Sequence, residues 1–225
     1  GKCEQFTSRP IEGKWGYIDG SGKVVIEPQF EFADVFSEGY AKVALPEGLT
    51  FVDKSGRIIT INRFYDTSHF SEGLAPVQIN HKWGFIDTNG NYAIEPRFPA
   101  IEAYGFNEGL CGVSMYVGTN EYGYGETLNG YINTNGEIVV PAQYRLANKF
   151  VEGRAVVDKN GKKGVIDRSG KTVVDFIFDD AGWNYSEGRL AVIIGKKDFD
   201  APIEKSDCKL GYIDRDGNYI WKPTR

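Results

Sequence analysis

The apolar positions of this chain fall into short runs that return in a fixed order. One run alternates small or apolar side chains with others, as in Tyr40-Ala-Lys-Val-Ala, Leu74-Ala-Pro-Val-Gln and Arg154-Ala-Val-Val-Asp. A second reads Trp15-Gly-Tyr-Ile-Asp and recurs as Trp83-Gly-Phe-Ile-Asp, Asn129-Gly-Tyr-Ile-Asn, Lys163-Gly-Val-Ile-Asp and Leu210-Gly-Tyr-Ile-Asp. A third reads Lys23-Val-Val-Ile-Glu, then Glu137-Ile-Val-Val and Lys171-Thr-Val-Val. Short β-branched and aromatic runs bounded by turn residues predict strands, here called A, B and C.

Between B and C stands the most regular feature of the chain: Asp19-Gly-Ser-Gly22, Asp53-Lys-Ser-Gly56, Asp87-Thr-Asn-Gly90, Asn133-Thr-Asn-Gly136, Asp167-Arg-Ser-Gly170 and Asp214-Arg-Asp-Gly217. Asp or Asn opens a type I turn by bonding the backbone ahead of it, and the closing Gly takes the left-handed conformation, which predicts a hairpin in all six copies. Asp158-Lys-Asn-Gly161 predicts the same turn between strands A and B. Pro28, Pro96 and Pro141 are expected to end strand C, and the segment after it to cross to the next unit as a turn or short helical piece.

The spacing makes this a repeat. The strand-B glycine, with Thr50 in one degenerate copy, falls at 16, 50, 84, 130, 164 and 211. A second marker, aromatic-x-Glu-Gly, ends at Gly39, Gly73, Gly109, Gly153 and Gly188, at a nearly constant distance after the first. The extra residues of the two long intervals therefore enter the A–B loop alone, over 116–128 and 196–209. Counted from marker to marker, six units run in phase. Within strand B, Trp15 and Tyr17 share one face and Gly16 and Ile18 the other, so each small sheet is expected to be covered on both sides by neighbouring units, with the strand-B glycine permitting the neighbour's close approach. An aromatic fourteen residues further on (Phe30, Phe64, Phe98, Tyr144, Phe178) is expected to plug the inter-unit gap.

Composition narrows the function classes. With 41% apolar and 14% aromatic residues the chain buries a core, and its 28 glycines keep to the repeat register, so they mark turns rather than a linker. The net charge of −5 is spread with both signs and leaves no basic stripe for phosphates, so nucleic acid is not an expected partner. No apolar run is long enough for a membrane-spanning helix, and Gly1 to Phe6 lacks the shape of a signal peptide. Cys3, Cys111 and Cys208 are odd in number and far apart, which argues against a disulfide scaffold.

No constellation announces catalysis. Asp214-x-Asp-Gly-Asn opens like a calcium loop, but the twelfth position is Arg225 where a ligating Glu is needed, so a turn is expected. Glu38, Glu72, Glu108, Glu152 and Glu187 are equivalent by register; an acid–base pair needs two carboxylates in different surroundings, so these are expected to hold turn backbone. His69 and His81 stand apart from nucleophiles and metal ligands, and Tyr122-Gly-Tyr-Gly125 lacks the Lys of a phosphate loop. The expected catalytic, cofactor and metal sets are empty.

The string K-W-G-Y-I-D-x-x-G-x-x-V-I-x-P-x-F, followed by A-x-x-F-S-E-G-x-A-x-V, resembles the bacterial WG (KWG) repeat proteins over essentially the whole chain. The resemblance implies a tandem β-repeat without an assigned catalytic activity. The expected fold is all-β, a single array over 1–225 of about six three-stranded antiparallel units, open superhelical or propeller-like. The expected function is a non-enzymatic binding or scaffold module that presents its long A–B loops to a protein partner. Tyr116, Tyr122 and Tyr124 of the first insertion and Asp198 and Phe199 of the second are the candidate contacts, because the repeat does not require them. The alternative is a carbohydrate or cell-envelope ligand stacked on the loop tyrosines, and an exported or cell-surface setting is favoured over the cytoplasm.

Overall fold

The computed structural model describes residues 7–11, 13–101, 105–119, 122–195 and 208–224, and among these every regular element is a strand. The chain divides into two compact units, Gly1–Pro99 and Ala100–Arg225. In the first, one sheet joins β1 (Thr7–Ile11), β2 (Lys14–Ile18) and β3 (Val24–Phe30). A second joins β4 (Phe32–Ala33), β5 (Tyr40–Leu45) and β6 (Gly48–Asp53), and a third β7 (Asp66–Thr67), β8 (Leu74–Ile79), β9 (Lys82–Asp87) and β10 (Tyr92–Phe98). The second unit holds β11 (Leu110–Thr119), β12 (Gly125–Asn133) and β13 (Ile138–Tyr144). A further sheet is made of β14 (Leu146–Ala147), β15 (Arg154–Lys159), β16 (Lys162–Asp167) and β17 (Thr172–Phe178), and a last of β18 (Asp180–Ala181), β19 (Leu190–Ile194), β20 (Lys209–Ile213) and β21 (Tyr219–Thr224). All six are antiparallel meanders of three or four strands, which confirms the repeated all-β units.

The B–C turns form as the sequence predicts. In the first, Asp19 Oδ1 accepts from the N–H groups of Ser21 (2.9 Å) and Lys23 (3.0 Å), and Gly22 N–H donates to the Asp19 carbonyl (2.9 Å). Asp214 does the same with Asp216 and Asn218, so the calcium-like string is a hairpin. The A–B connection at Asn160-Gly161 differs from expectation: both residues have positive φ and Lys159 pairs with Lys162, a two-residue turn rather than a copy of the B–C turn. Asn-Gly is the pair that tolerates two successive left-handed residues.

Three expectations are corrected. The crossover is a short strand, not a helical piece: Phe32 and Ala33 pair with Ala44 and Val43, so the crossover becomes the first strand of the next sheet. The prolines do not end strand C. Pro28, Pro96 and Pro141 lie inside β3, β10 and β13, tolerated because strand C is an outer strand that bulges at that point. Register shows the bulge: Trp15 pairs with Phe30 but Tyr17 with Ile26. The bulge also explains the strand-B glycine, whose close neighbour is its own sheet and not the next unit. A Cβ on Gly16 would stand 2.4 Å from the Ile26 carbonyl oxygen and 2.8 Å from Pro28 N. Where Thr50 replaces that glycine, no regular strand C forms, and the buried Thr50 hydroxyl donates to the Thr60 carbonyl at 3.2 Å.

Within each unit the core lies between successive sheets. Tyr17, Ile26 and Phe30 of the first sheet meet Ala33, Val43 and Val52 of the second, and Val165, Val174 and Phe178 meet Leu190, Val192 and Ile213 in the same way. The aromatic expected to plug the gap is buried in all five copies. The marker aromatic stacks back on strand B of its repeat, with Phe36 4.8 Å from Tyr17 and Phe150 4.8 Å from Tyr131 between ring centroids. Tyr17 and Tyr131 also donate their hydroxyls to crossover carbonyls, at Asp34 (2.8 Å) and Asn148 (2.6 Å). A phenol buried this way needs a partner for its O–H.

Candidate functional site

The first insertion is not a loose loop. It lengthens the A–B hairpin, so that β11 and β12 continue to pair beyond the sheet, with one register shift between Tyr116 and Gly118: Met115 pairs with Leu128, Tyr116 with Thr127 and Thr119 with Gly125. Up to Ser114 strand β11 is buried; beyond it the side chains turn outward. Tyr116 is 61% exposed, and Tyr122 and Tyr124 near the tip are 75% and 73% exposed. Tyr116 lies across Gly125, where an added Cβ would come within 3.3 Å of its ring. An aromatic laid over a cross-strand glycine stiffens an exposed ribbon. The structure thus brings the three tyrosines together on one projection. Asp198 and Phe199 of the second insertion lie outside the described residues.

Three of the repeated glutamates, Glu38, Glu108 and Glu152, are consumed by the fold. Glu38, Glu72, Glu108, Glu152 and Glu187 all have φ between 50° and 56°, each followed by a glycine of positive φ, and the flanking residues exchange backbone hydrogen bonds, as Ser37 and Tyr40 do at 2.8 and 3.0 Å. Each marker is therefore a two-residue hairpin turn of the primed type. The side chains reach the next repeat: Glu108 Oε2 accepts from Gly153 N–H at 2.8 Å, and Glu152 Oε2 from Gly188 N–H at 2.9 Å. Two successive left-handed residues aim their N–H groups to one side, a natural seat for a carboxylate. Arg215 closes on Glu152 as well, Nε to Oε2 at 2.8 Å, and this guanidinium hydrogen bond is the main cause that holds the Glu152 carboxyl below its ordinary value.

Other candidates separate. His69 Nε2 lies 3.2 Å from Asp34 Oδ2, beside Lys42, while His81 sits in an A–B turn against Tyr65. Cys111 is buried and Cys208 half-buried; Cys3 lies outside the described residues. Among the described residues no group of three or more His, Cys, Asp or Glu could hold a metal, and no helix is long and apolar enough to cross a membrane. One surface feature escaped the sequence reading. Trp183, 75% exposed, lines an open groove of about 170 Å³ with Asn148, Lys163 and Asp180. Its signal was the single extra residue between Gly164 and Gly188, where the shorter repeats have none.

No curated protein matches the chain. Among solved structures it is similar to a eukaryotic initiation factor, at 12% identity and a TM-score of 0.59 over 96% of this chain and 61% of that one, so it spans about three fifths of that protein's length. It is also similar to Kluyveromyces lactis Hsv2, with 14% identity, coverage of 94% and 71%, and a TM-score of 0.48. A protein of unknown function from Bacteroides caccae matches with 15% identity, coverage of 97% and 93%, and a TM-score of 0.34. The first of these is a likeness of fold, small antiparallel sheets in succession. The model of the WG containing repeat matches five times, over 15–45, 50–83, 83–116, 130–162 and 164–197, and the gap between the third and fourth matches falls on the β11–β12 extension. The chain belongs to the WG containing repeat family.

Proposed function

We propose that this repeat domain is a non-enzymatic binding or scaffold module that holds the β11–β12 ribbon out to a protein partner. The observation that carries the reading is the cluster of Tyr116, Tyr122 and Tyr124, exposed on an extension that the repeat does not need. Tyrosine offers a large, amphipathic contact at low conformational cost, and such side chains recur as interface anchors. A non-catalytic role is supported by the fate of the marker carboxylates. At Glu38, Glu108 and Glu152 they are engaged by turn N–H groups of the next repeat, which takes these three out of acid–base work.

The test places a photocrosslinking amino acid at Tyr122 and, in parallel, compares affinity capture by the wild type and by a Tyr122→Ala, Tyr124→Ala variant of equal thermal stability. A defined protein that crosslinks at 122 and is lost from the variant supports the reading. Capture of the same proteins by both forms overturns it. A glycan array bound by the wild type and not by the variant would replace the protein partner with the carbohydrate alternative.

A further inference from the structure

In the first and fourth sheets, the residue just before the strand-B glycine ties its sheet to the crossover that follows. The Trp15 ring lies 6.4 Å from that of Phe32, and the buried Asn129 donates from its amide to the Arg145 carbonyl at 3.0 Å. On the fifth sheet the same position is Lys163, whose ammonium turns back to its own sheet, Nζ to Asp158 Oδ2 at 3.1 Å. Lys163 thus leaves the crossover at Asp180 uncovered, and both line an open groove of about 170 Å³.

The crossover beside this groove is one residue longer than that of the fourth repeat. Trp183 stands in it 75% exposed, with no hydrogen bond or ring contact among the described residues. Two polar groups with unused bonding capacity line the groove with it. The Asn148 side-chain amide has no partner among the described residues, and Asp180 Oδ1 accepts from Ala181 N–H at 2.9 Å while Oδ2 accepts from none of them.

We infer that this groove binds a neutral carbohydrate, one ring of which lies on the Trp183 indole while its hydroxyls bond the Asn148 amide and the Asp180 carboxylate. The negative face of an indole attracts the polarised C–H edges of a sugar ring, and a few placed polar groups fix its orientation. The groove is smaller than the roughly 300 Å³ at which sites for drug-sized ligands begin, so it holds a single ring. Its charge sets the class: Asp158 already engages Lys163, whereas Asp180 has no ion-pair partner among the described residues, so uronates and phosphorylated sugars meet a like charge. A proline-rich peptide would need a groove lined by several aromatic rings, and Trp183 is the one ring here. None of these residues lies on the β11–β12 ribbon, so capture of a protein partner can fail with sugar binding intact, and the reverse.

The test scores a glycan array with the wild type, Trp183→Ala, Asn148→Ala and the Tyr122→Ala, Tyr124→Ala ribbon variant. The best-bound neutral oligosaccharide is then titrated into 15N-labelled wild type while the Trp183 indole N–H is followed, assigned by its absence from Trp183→Ala. At least one neutral glycan is expected to bind and to move that signal saturably. Binding should fall at least tenfold in Trp183→Ala, weaken in Asn148→Ala and persist in the ribbon variant, with glucuronate-bearing glycans at background. Should Trp183→Ala not fold by circular dichroism, Asn148→Ala and the indole shift decide. No neutral glycan above background, binding unchanged in the folded groove variants, binding lost from the ribbon variant, or an indole signal moved by a decaproline peptide and by no glycan would each overturn the inference.

Discussion

The carboxylate of Glu38 accepts hydrogen bonds from the backbone N–H groups of Glu72 (2.9 Å) and Gly73 (2.8 Å), the turn that occupies the same place one repeat further on. The marker that looks like a surface acidic stripe is a staple between repeats. Replacing Glu38 with Ala is expected to lower stability by about 1 kcal/mol, the usual net worth of charge-assisted bonds at a partly wet site. Glu187 is the control, since its carboxylate has no hydrogen-bond partner among the described residues. Urea unfolding of the two variants should show a shifted midpoint for Glu38→Ala and almost none for Glu187→Ala; equal shifts would mean that the staple contributes nothing.

The closing glycines of the B–C turns are not equivalent. Gly22 (φ +86°) and Gly90 (φ +81°) share a conformation, but a Cβ at Gly90 would stand 2.3 Å from the Ile59 carbonyl oxygen and 2.7 Å from Thr60 Cβ, whereas Gly22 has open space. Gly22→Ala is therefore expected to cost roughly 1 kcal/mol, the strain of positive φ alone. Gly90→Ala adds overpacking against backbone, on the order of 1–3 kcal/mol more. Thermal melts of the two single variants check the difference.

Tyr17→Phe removes a hydroxyl that donates to the Asp34 carbonyl at 2.8 Å, and leaves that acceptor without its partner. The expected loss is about 1 kcal/mol, and the same substitution at Tyr131, which bonds Asn148, should match it. Phe51 and Phe85 fill the same position with no hydroxyl, so the ring packs without it. Denaturant midpoints that do not move for either variant would show that the hydroxyl bond is worth nothing net.

Stability should fall at both ends of the pH scale for separate reasons. Asp19, Asp167 and Asp214 titrate below their ordinary value, chiefly through side-chain bonds from Ser21, Ser169 and Asn218, and Glu152 does so through Arg215. A carboxyl whose folded value is depressed contributes stability that is present above its unfolded value, about 4, and lost as pH falls below it. Tyr185 is pushed up to about 12 by burial. Its unfolded value is about 10, so its contribution is complete below pH 10 and disappears as pH rises towards the folded value. Thermal melts between pH 2 and 12 should show a plateau bounded by these two declines, and a curve still flat below pH 4 would contradict the first.

Much of the fold was legible because its signals are local. An Asp or Asn that bonds N–H groups two and four residues ahead, followed by a left-handed Gly, can be read from four letters, and all six B–C turns were, although the one after Asp53 leads into no regular strand C. The strand-B glycine was legible as a position but not as a cause, because strand C folds back over Gly16 through a bulge that the alternation of side chains does not announce. The crossover at Phe32–Ala33 was missed for a similar reason: two residues are too few to show a period, and pairing with β5 makes them a strand. In the candidate surface, the insertion point and its tyrosines were readable, but not that the insertion is a paired ribbon with a bulge.

The sequence by itself determined the period, the turns and the strands, since these depend on contacts within a few residues along the chain. Only the tertiary structure decided what the repeated side chains do. Glu38 finds its partner 34 and 35 residues away, and Ile26 is covered by a turn from the following repeat. The same is true of the residues left over. Tyr212 reads like Tyr17 in the sequence, and its exposure follows from which side of its sheet the described chain covers.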